Sequence, residues 1–193
     1  MPDAVQRVLR GAQQKLERSP IYARRPPVGI FLCNSRWRQV LFFNWNYGAG
    51  GIAPVFVSNV FLRDADVDND RLISPRGTAV GSDRPLNYFV AHEITHLLTG
   101  QAIGTWGFYR MPQWVREGYA DYVGKGGSVD YTRARAAFLA EAPEMDYGRS
   151  GLYLRFHLLV MFLLDHRHWT VHQLLTNPPT QEQVEAWVRA QAL

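Results

Sequence analysis

The sequence of 193 residues has a single cysteine, Cys33, and no apolar run long enough to cross a membrane. One cysteine excludes an intramolecular disulfide. The longest apolar run, 158–164, covers seven residues, whereas a membrane-spanning helix needs about 20. The N-terminal region lacks the pattern of a signal peptide, because its apolar residues follow helical spacing and predict an amphipathic helix over about 3–18. Two compartments stay open: the cytoplasm, or an exported location if a leader has been removed.

Clusters of basic residues are also scarce. The net charge is +4 and the sequence pI is about 9.4, but Arg24 and Arg25 are the only adjacent basic pair. Dispersed charge is typical of a solvated surface and argues against a nucleic-acid partner. The apolar content of 47% indicates a globular chain, and the length suits a single domain over 1–193. The composition does not fix the oligomeric state.

An acidic run over 64–70 lacks residues that a calcium-binding loop requires. Asn69 stands where that loop needs glycine, and Pro75 stands where it needs glutamate. We therefore expect an exposed acidic loop. The histidines at positions 166, 168 and 172 have no acidic or thiol partner at ligand spacing, so we expect them to be solvated.

The pentapeptide His92-Glu93-Ile94-Thr95-His96 carries the clearest chemical signal. Residues four apart lie on one face of a helix, so His92 and His96 can present two imidazoles to one metal ion. Two neutral imidazoles suit zinc, and Glu93 is placed to take a proton from a zinc-bound water. The flanking sequence predicts a buried helix over about 85–99, with a cap candidate at Ser82 or Asp83 and a stop at Gly100.

A catalytic zinc site usually has three protein ligands and one open position. Thr99 and Ala102 occupy the positions where a glycine and a third histidine would extend the motif, so that version is excluded. A second predicted helix begins near Pro112, ends at Gly124 and offers Glu117 as the third ligand. Asp121 lies four residues later on the same face, where it can hydrogen-bond the outer nitrogen of a ligating histidine.

These two motifs resemble the gluzincin metallopeptidases, the thermolysin-like clan, and the segment from Trp114 to Ala120 is closest to short bacterial peptidase MA-like domains. The resemblance covers roughly 80–175. It implies a Zn²⁺ ion held by His92, His96 and Glu117, with Glu93 as general base and acid. It also implies Asp121 as the partner of a ligating histidine, with His92 as the expected one.

The same family places a tyrosine or histidine on a later helix, where it stabilises the oxyanion of the tetrahedral intermediate. Tyr147 is the first candidate, Tyr153 the second and His157 the third. Each of the three is also compatible with an ordinary place in the core.

The predicted fold is α+β and zincin-like, with a small mixed sheet packed on the metal helix and a mainly helical C-terminal lobe. An N-terminal helix and linker cover 1–27, the sheet and metal helix 28–104, and the helical lobe 105–193. Strands are expected at 28–33, 40–43, 52–57 and 59–62. Further helices are expected over 131–142, from 147 or 151 to about 166 and over 170–176, and Thr180 is expected to cap a final helix that runs through Gln191.

The favoured function is a zinc metallopeptidase acting on peptide or protein substrates, more in the manner of an endopeptidase. The Gly-Met-Glu-Asn segment with which clan aminopeptidases hold a free amine has no counterpart here. Three alternatives stay open: an aminopeptidase that uses the acidic residues 66–70, a zinc-holding binding or scaffold domain without turnover, and an enzyme whose segment 1–27 covers the cleft.

Overall fold

The structure, a computed structural model, describes residues 2–23, 27–43, 48–81, 83–146 and 153–191. These residues form a mixed fold in which helices predominate and the sheets are small. The predicted α+β class is confirmed. The zincin-like arrangement stays a prediction.

The predicted metal helix, α3, covers Leu86–Ile103 and is buried around most of its circumference. It continues through Gly100, where the sequence predicts a stop. A Cβ atom at Gly100 would lie 2.8 Å from the Cβ of Val55, so this glycine permits a close approach of the chain and does not end the helix. The helix ends at Gly104, whose φ of 79° suits glycine.

The acidic run 64–70 is not simply an exposed loop. Strand β4, Ala65–Asp66, pairs antiparallel with β5, Arg71–Leu72. In the turn between them Asp66 accepts a hydrogen bond from the side chain of Asn69 at 2.8 Å, and Asp70 has a φ of 54°. Asparagine and aspartate are common in such turns because their side chains hydrogen-bond the local backbone and tolerate positive φ.

This turn caps α3 from a distance. The backbone N–H of Asn87 donates to Asp70 Oδ1 at 2.9 Å, and the Asn87 side chain donates to Asp70 Oδ2. The predicted local cap is not observed: Ser82 lies outside the described residues, and Asp83 Oδ2 accepts a hydrogen bond from Lys125 Nζ at 2.9 Å. A carboxylate beside a helix N-terminus satisfies an unpaired N–H and interacts favourably with the helix dipole.

The main sheet has the strand order β1-β3-β2. Strand β1, Gly29–Cys33, runs parallel to β3, Asn59–Arg63, and β2, Gly51–Ile52, runs antiparallel to β3 on its other side. Val60 and Leu62 are fully buried in the hydrophobic core to which α3 also contributes. The sheet thus packs on the metal helix, with β2 as an edge strand.

Two of the predicted strands differ from the structure. The segment 40–43 belongs to a helix, α2, Arg36–Phe43, which packs Phe42 on the ring of Phe61 at 4.1 Å between centroids. The segment 52–57 keeps strand geometry only at Ile52, since Pro54 has no N–H to donate to a sheet.

The N-terminal helix is confirmed as α1, Pro2–Leu16. Its buried residues Val8, Ala12 and Leu16 belong to the common core, and Lys15 Nζ donates to the carbonyl of Gly124 at 2.8 Å. The helix therefore packs on the domain, as its amphipathic pattern predicts.

The remaining described chain is helical. The elements are α4, Thr105–Arg110; α5, Gln113–Lys125; α6, Tyr131–Leu139; α7, Leu154–Met161, continued by a π turn, Phe162–His166; α8, Val171–Thr176; and α9, Gln181–Ala190. Thr170 and Thr180 form capping boxes at the starts of α8 and α9. No described helix has both the length and the hydropathy that a bilayer span requires.

Candidate metal centre

Helices α3 and α5 bring three metal-donor side chains to one point. His92 Nε2 lies 3.4 Å from Glu117 Oε2, and His96 Nε2 lies 3.5 Å from the same oxygen. One donor atom from each residue lies within 4.8 Å of the other two. Both imidazoles are buried and Glu117 is partly buried, so the group could hold a metal ion.

Two of the three donor separations are compatible with binding to one ion. Zinc binds nitrogen and carboxylate oxygen at about 2.0–2.2 Å, which puts neighbouring tetrahedral ligands about 3.3–3.5 Å apart. The two separations from Glu117 Oε2 match that range. Burial raises the pKa of Glu117, but the two adjacent imidazoles outweigh burial and hold this pKa well below its usual value. Glu117 is therefore ionised, as a ligand must be.

Glu93 lies beside the three donors, in a cavity of about 610 Å³ that they also line. Burial raises the pKa of Glu93 from 4.5 to about 7, and the negative charge of Glu117 acts in the same direction while His92 opposes it. A Cβ atom at Gly51 would lie 2.6 Å from Glu93 Oε1, so the backbone of β2 runs directly against this carboxylate. A carboxyl group with a pKa near 7 can accept and return a proton at neutral pH.

Asp121 forms no direct hydrogen bond with His92, the partner that the resemblance implies, and instead bonds Tyr88 and His157. Its Oδ1 accepts a hydrogen bond from the hydroxyl of Tyr88 at 2.5 Å, and its Oδ2 lies 2.8 Å from Nδ1 of His157. The Tyr88 hydroxyl in turn lies 3.4 Å from Nδ1 of His92. The Asp121 carboxylate is thus linked to His92 through the hydroxyl of Tyr88, whose ring packs against Gly124 of α5.

The protonation states in this network follow from burial and charge. Burial, followed by the negative charge of Asp121, raises the pKa of Tyr88 well above its usual value, so the phenol keeps its proton and donates it. Burial raises the pKa of Asp121, but its hydrogen bond to His157 and the charge of that imidazole more than offset this and lower it. The side chain of His157 is 0% exposed, and its Nε2 has no hydrogen-bond partner in the described chain.

The structure separates the three oxyanion candidates. Tyr153 lines the cavity and its ring stacks on His92 at 5.7 Å between centroids. His157 faces Asp121 and does not line the cavity. Tyr147 lies outside the described residues. Among the described candidates, only Tyr153 lines the cavity that contains the three donors.

Comparisons with known protein families, curated proteins and solved structures give no match. The gluzincin resemblance therefore stays a prediction that rests on the residues themselves.

Other predicted features lie away from the cavity. None of the described residues in 2–23 lines it, so in this structure α1 does not cover the cleft. The acidic residues 66–70 do not line it either, and the described cavity wall has two carboxylates, Glu93 and Glu117. His166, His168 and His172 are exposed, as expected.

Three residues of the site were not identified from the sequence. Tyr88 stands four residues before His92, so helical spacing could have placed it on the same face. Gly51 ends the glycine-rich tract 48–51 and begins β2, and a glycine in a strand often marks a close approach of the backbone to another group. Arg84 also lines the cavity, and no sequence pattern indicates that position.

Proposed function

We propose that this chain is a zinc-dependent metallopeptidase of the gluzincin type. The observation that carries the proposal is the juxtaposition of Glu93 with the His92, His96 and Glu117 donors in one cavity. A structural zinc site has four protein ligands and no need of a base. Here three donors meet beside a buried carboxyl group that can serve as that base.

The residues of the site have distinct roles in peptide-bond hydrolysis. A zinc ion at this site supplies a Lewis acid and lowers the pKa of an attacking water. Glu93 accepts a proton from that water as the oxygen bonds to the scissile carbonyl carbon, and it delivers the proton to the amide nitrogen as the C–N bond breaks. Burial raises the pKa of Glu93, which makes its carboxylate a stronger base and favours uptake of the proton from water.

Tyr153 and strand β2 supply the remaining functions. Tyr153 donates a hydrogen bond to the oxygen on which negative charge develops in the transition state. The edge strand β2 lines the cavity, and an extended peptide can pair with it through main-chain hydrogen bonds. Such pairing reads little of the substrate sequence and is compatible with endopeptidase action.

The decisive experiment is the Glu93→Gln variant. We expect it to retain about one zinc per chain, because Glu93 is not a ligand, and to lose at least about 10²-fold in the rate of casein cleavage, since general acid–base catalysis contributes about 10²–10⁴. Glu182→Gln, which removes an exposed carboxylate on α9, is the matched control and should cleave at the wild-type rate. Equal cleavage by wild type and Glu93→Gln would overturn the mechanism.

The same measurements discriminate the alternatives. Stoichiometric zinc without cleavage of any peptide by the wild type would favour a binding or scaffold domain. An aminopeptidase requires a negative group for the substrate amine beyond the residues around the metal. The described cavity wall instead has two arginines, Arg84 and Arg116, in addition to Glu93 and Glu117. This charge pattern argues against capture of an amine.

A further inference from the structure

The cavity wall contains an arginine, Arg84, that forms no salt bridge with a described residue. Arg84 precedes α3, and its guanidinium lies over the ring of Phe89 at 5.9 Å from the centroid. Its Nε is buried and has no hydrogen-bond acceptor among the described residues. The neighbouring carboxylate, Asp83, forms its salt bridge with Lys125 instead.

The second arginine of the cavity differs in this respect. Arg116 also stacks on an aromatic ring, that of Phe108, at 5.6 Å. Its Nε donates to Glu117 Oε1 at 3.3 Å, so its charge already faces a carboxylate of the metal site. Arg84 therefore has the unused hydrogen-bonding capacity.

A buried guanidinium donor without an acceptor is unfavourable, and a ligand that supplies the acceptor removes the penalty. The guanidinium group presents N–H donors in a planar fork that matches a carboxylate, and the charge-assisted pair is stronger than a neutral hydrogen bond. A cavity of about 610 Å³ has the size of a small-ligand site. It can therefore hold the few residues around a scissile bond together with such a group.

We propose that Arg84 binds a carboxylate of the peptide substrate, and this rests on the proposed peptidase function. The carboxylate belongs either to the C-terminus of the peptide or to an aspartate or glutamate side chain near the scissile bond. The first source makes the protein a carboxypeptidase or peptidyl-dipeptidase, and the second makes it an endopeptidase selective for acidic sequences.

Two pairs of matched peptides distinguish these sources. One pair differs only in a C-terminal acid or amide, and the other, blocked at both ends, differs only in an internal glutamate or glutamine. Binding is measured on the zinc-loaded Glu93→Gln protein by fluorescence anisotropy, so the result does not depend on turnover. We expect one pair to show at least a 10-fold preference for the carboxylate-bearing member, the range of a charge-assisted hydrogen bond.

The preference is then tested in the Glu93→Gln background with Arg84→Gln. We expect the preference to vanish while affinity for the neutral peptide and zinc content stay unchanged. Arg84→Lys, which keeps the charge without the planar fork, should retain part of it and guards against misfolding of the glutamine variant. Arg76→Gln, an exposed arginine outside the cavity, is the control and should keep the full preference.

Two results would overturn the proposal. One is less than a 3-fold difference within both peptide pairs. The other is an equal loss of affinity for charged and neutral peptides in Arg84→Gln. Neither result concerns the role of Glu93, which is tested separately by cleavage, so a failure here is distinguishable from a failure of the peptidase function.

Discussion

Replacing Tyr88 by phenylalanine tests whether Asp121 acts on the metal site through the phenol. The change removes one hydroxyl and keeps the ring that packs between α3 and α5. The lost contacts are the 2.5 Å hydrogen bond to Asp121 Oδ1 and the 3.4 Å approach to His92 Nδ1. Tyr88 is 3% exposed, so water cannot readily take the place of the hydroxyl.

Two magnitudes follow from this geometry. A buried carboxylate oxygen that loses its donor costs about 1.5–3 kcal/mol, the range for hydrogen bonds to charged groups. Loss of a group that orients a metal-binding histidine typically lowers metal affinity about 10–100-fold. We therefore expect Tyr88→Phe to unfold more easily in urea without metal and also to bind zinc at least about 10-fold more weakly in a chelator competition.

Tyr119→Phe is the matched control on α5. Its hydroxyl is also buried, but its partner is the neutral hydroxyl of Ser19 at 2.6 Å. We expect this variant to lose about 1 kcal/mol of stability and no zinc affinity. If Tyr88→Phe behaved in the same way, with lower stability and unchanged zinc affinity, the connection from Asp121 to His92 through Tyr88 would be refuted.

Two further predictions concern Glu93. Gly51→Ala places a methyl group 2.6 Å from the Glu93 carboxylate, so we expect kcat to fall about 10–100-fold with zinc content unchanged. The control is Gly48→Ala, where a Cβ meets nothing within 4 Å and kcat should stay at the wild-type value. Equal kcat in the two variants would contradict the contact between Gly51 and Glu93. In the metal-free protein the folded state holds the Glu93 proton up to about pH 7, whereas the unfolded chain releases it near 4.5. The free energy of unfolding of the wild type, relative to Glu93→Gln, should therefore fall by about 3 kcal/mol between these pH values and stay level above them. Parallel pH profiles of the two proteins in urea unfolding would show that Glu93 is not held protonated by burial.

The convergence of the metal donors could be predicted because it depends on helical spacing and on two strongly marked helices. His92 and His96 share a face by periodicity, and Glu117 meets them because α5 packs on α3. The cap at Thr180 was also readable, because its partner Gln183 lies three residues later; the predicted cap of α3 at Ser82 or Asp83 was not observed.

Errors arose where the deciding contact is distant in sequence. The apolar run 40–43 is too short to separate a strand from a helix by periodicity, and packing against Phe61 places it in α2. Gly100 was predicted to end the helix, but its role is to permit the close approach of Val55. Asp121 pairs with His157, which lies 36 residues away in sequence, and no local sequence pattern predicts such a pair.

The cap that Asp70 provides to α3 limits how the metal-binding motif can be transferred to another protein scaffold. All three donors lie between residues 92 and 117, so a short two-helix fragment would contain every ligand. That fragment would leave behind the hairpin turn that satisfies the first two amides of the metal helix: Leu86 N–H donates to the Asp70 carbonyl and Asn87 N–H to the Asp70 carboxylate. A transplant of this site into another scaffold must therefore begin at the hairpin, near Ala65, or supply a new carboxylate at the same point.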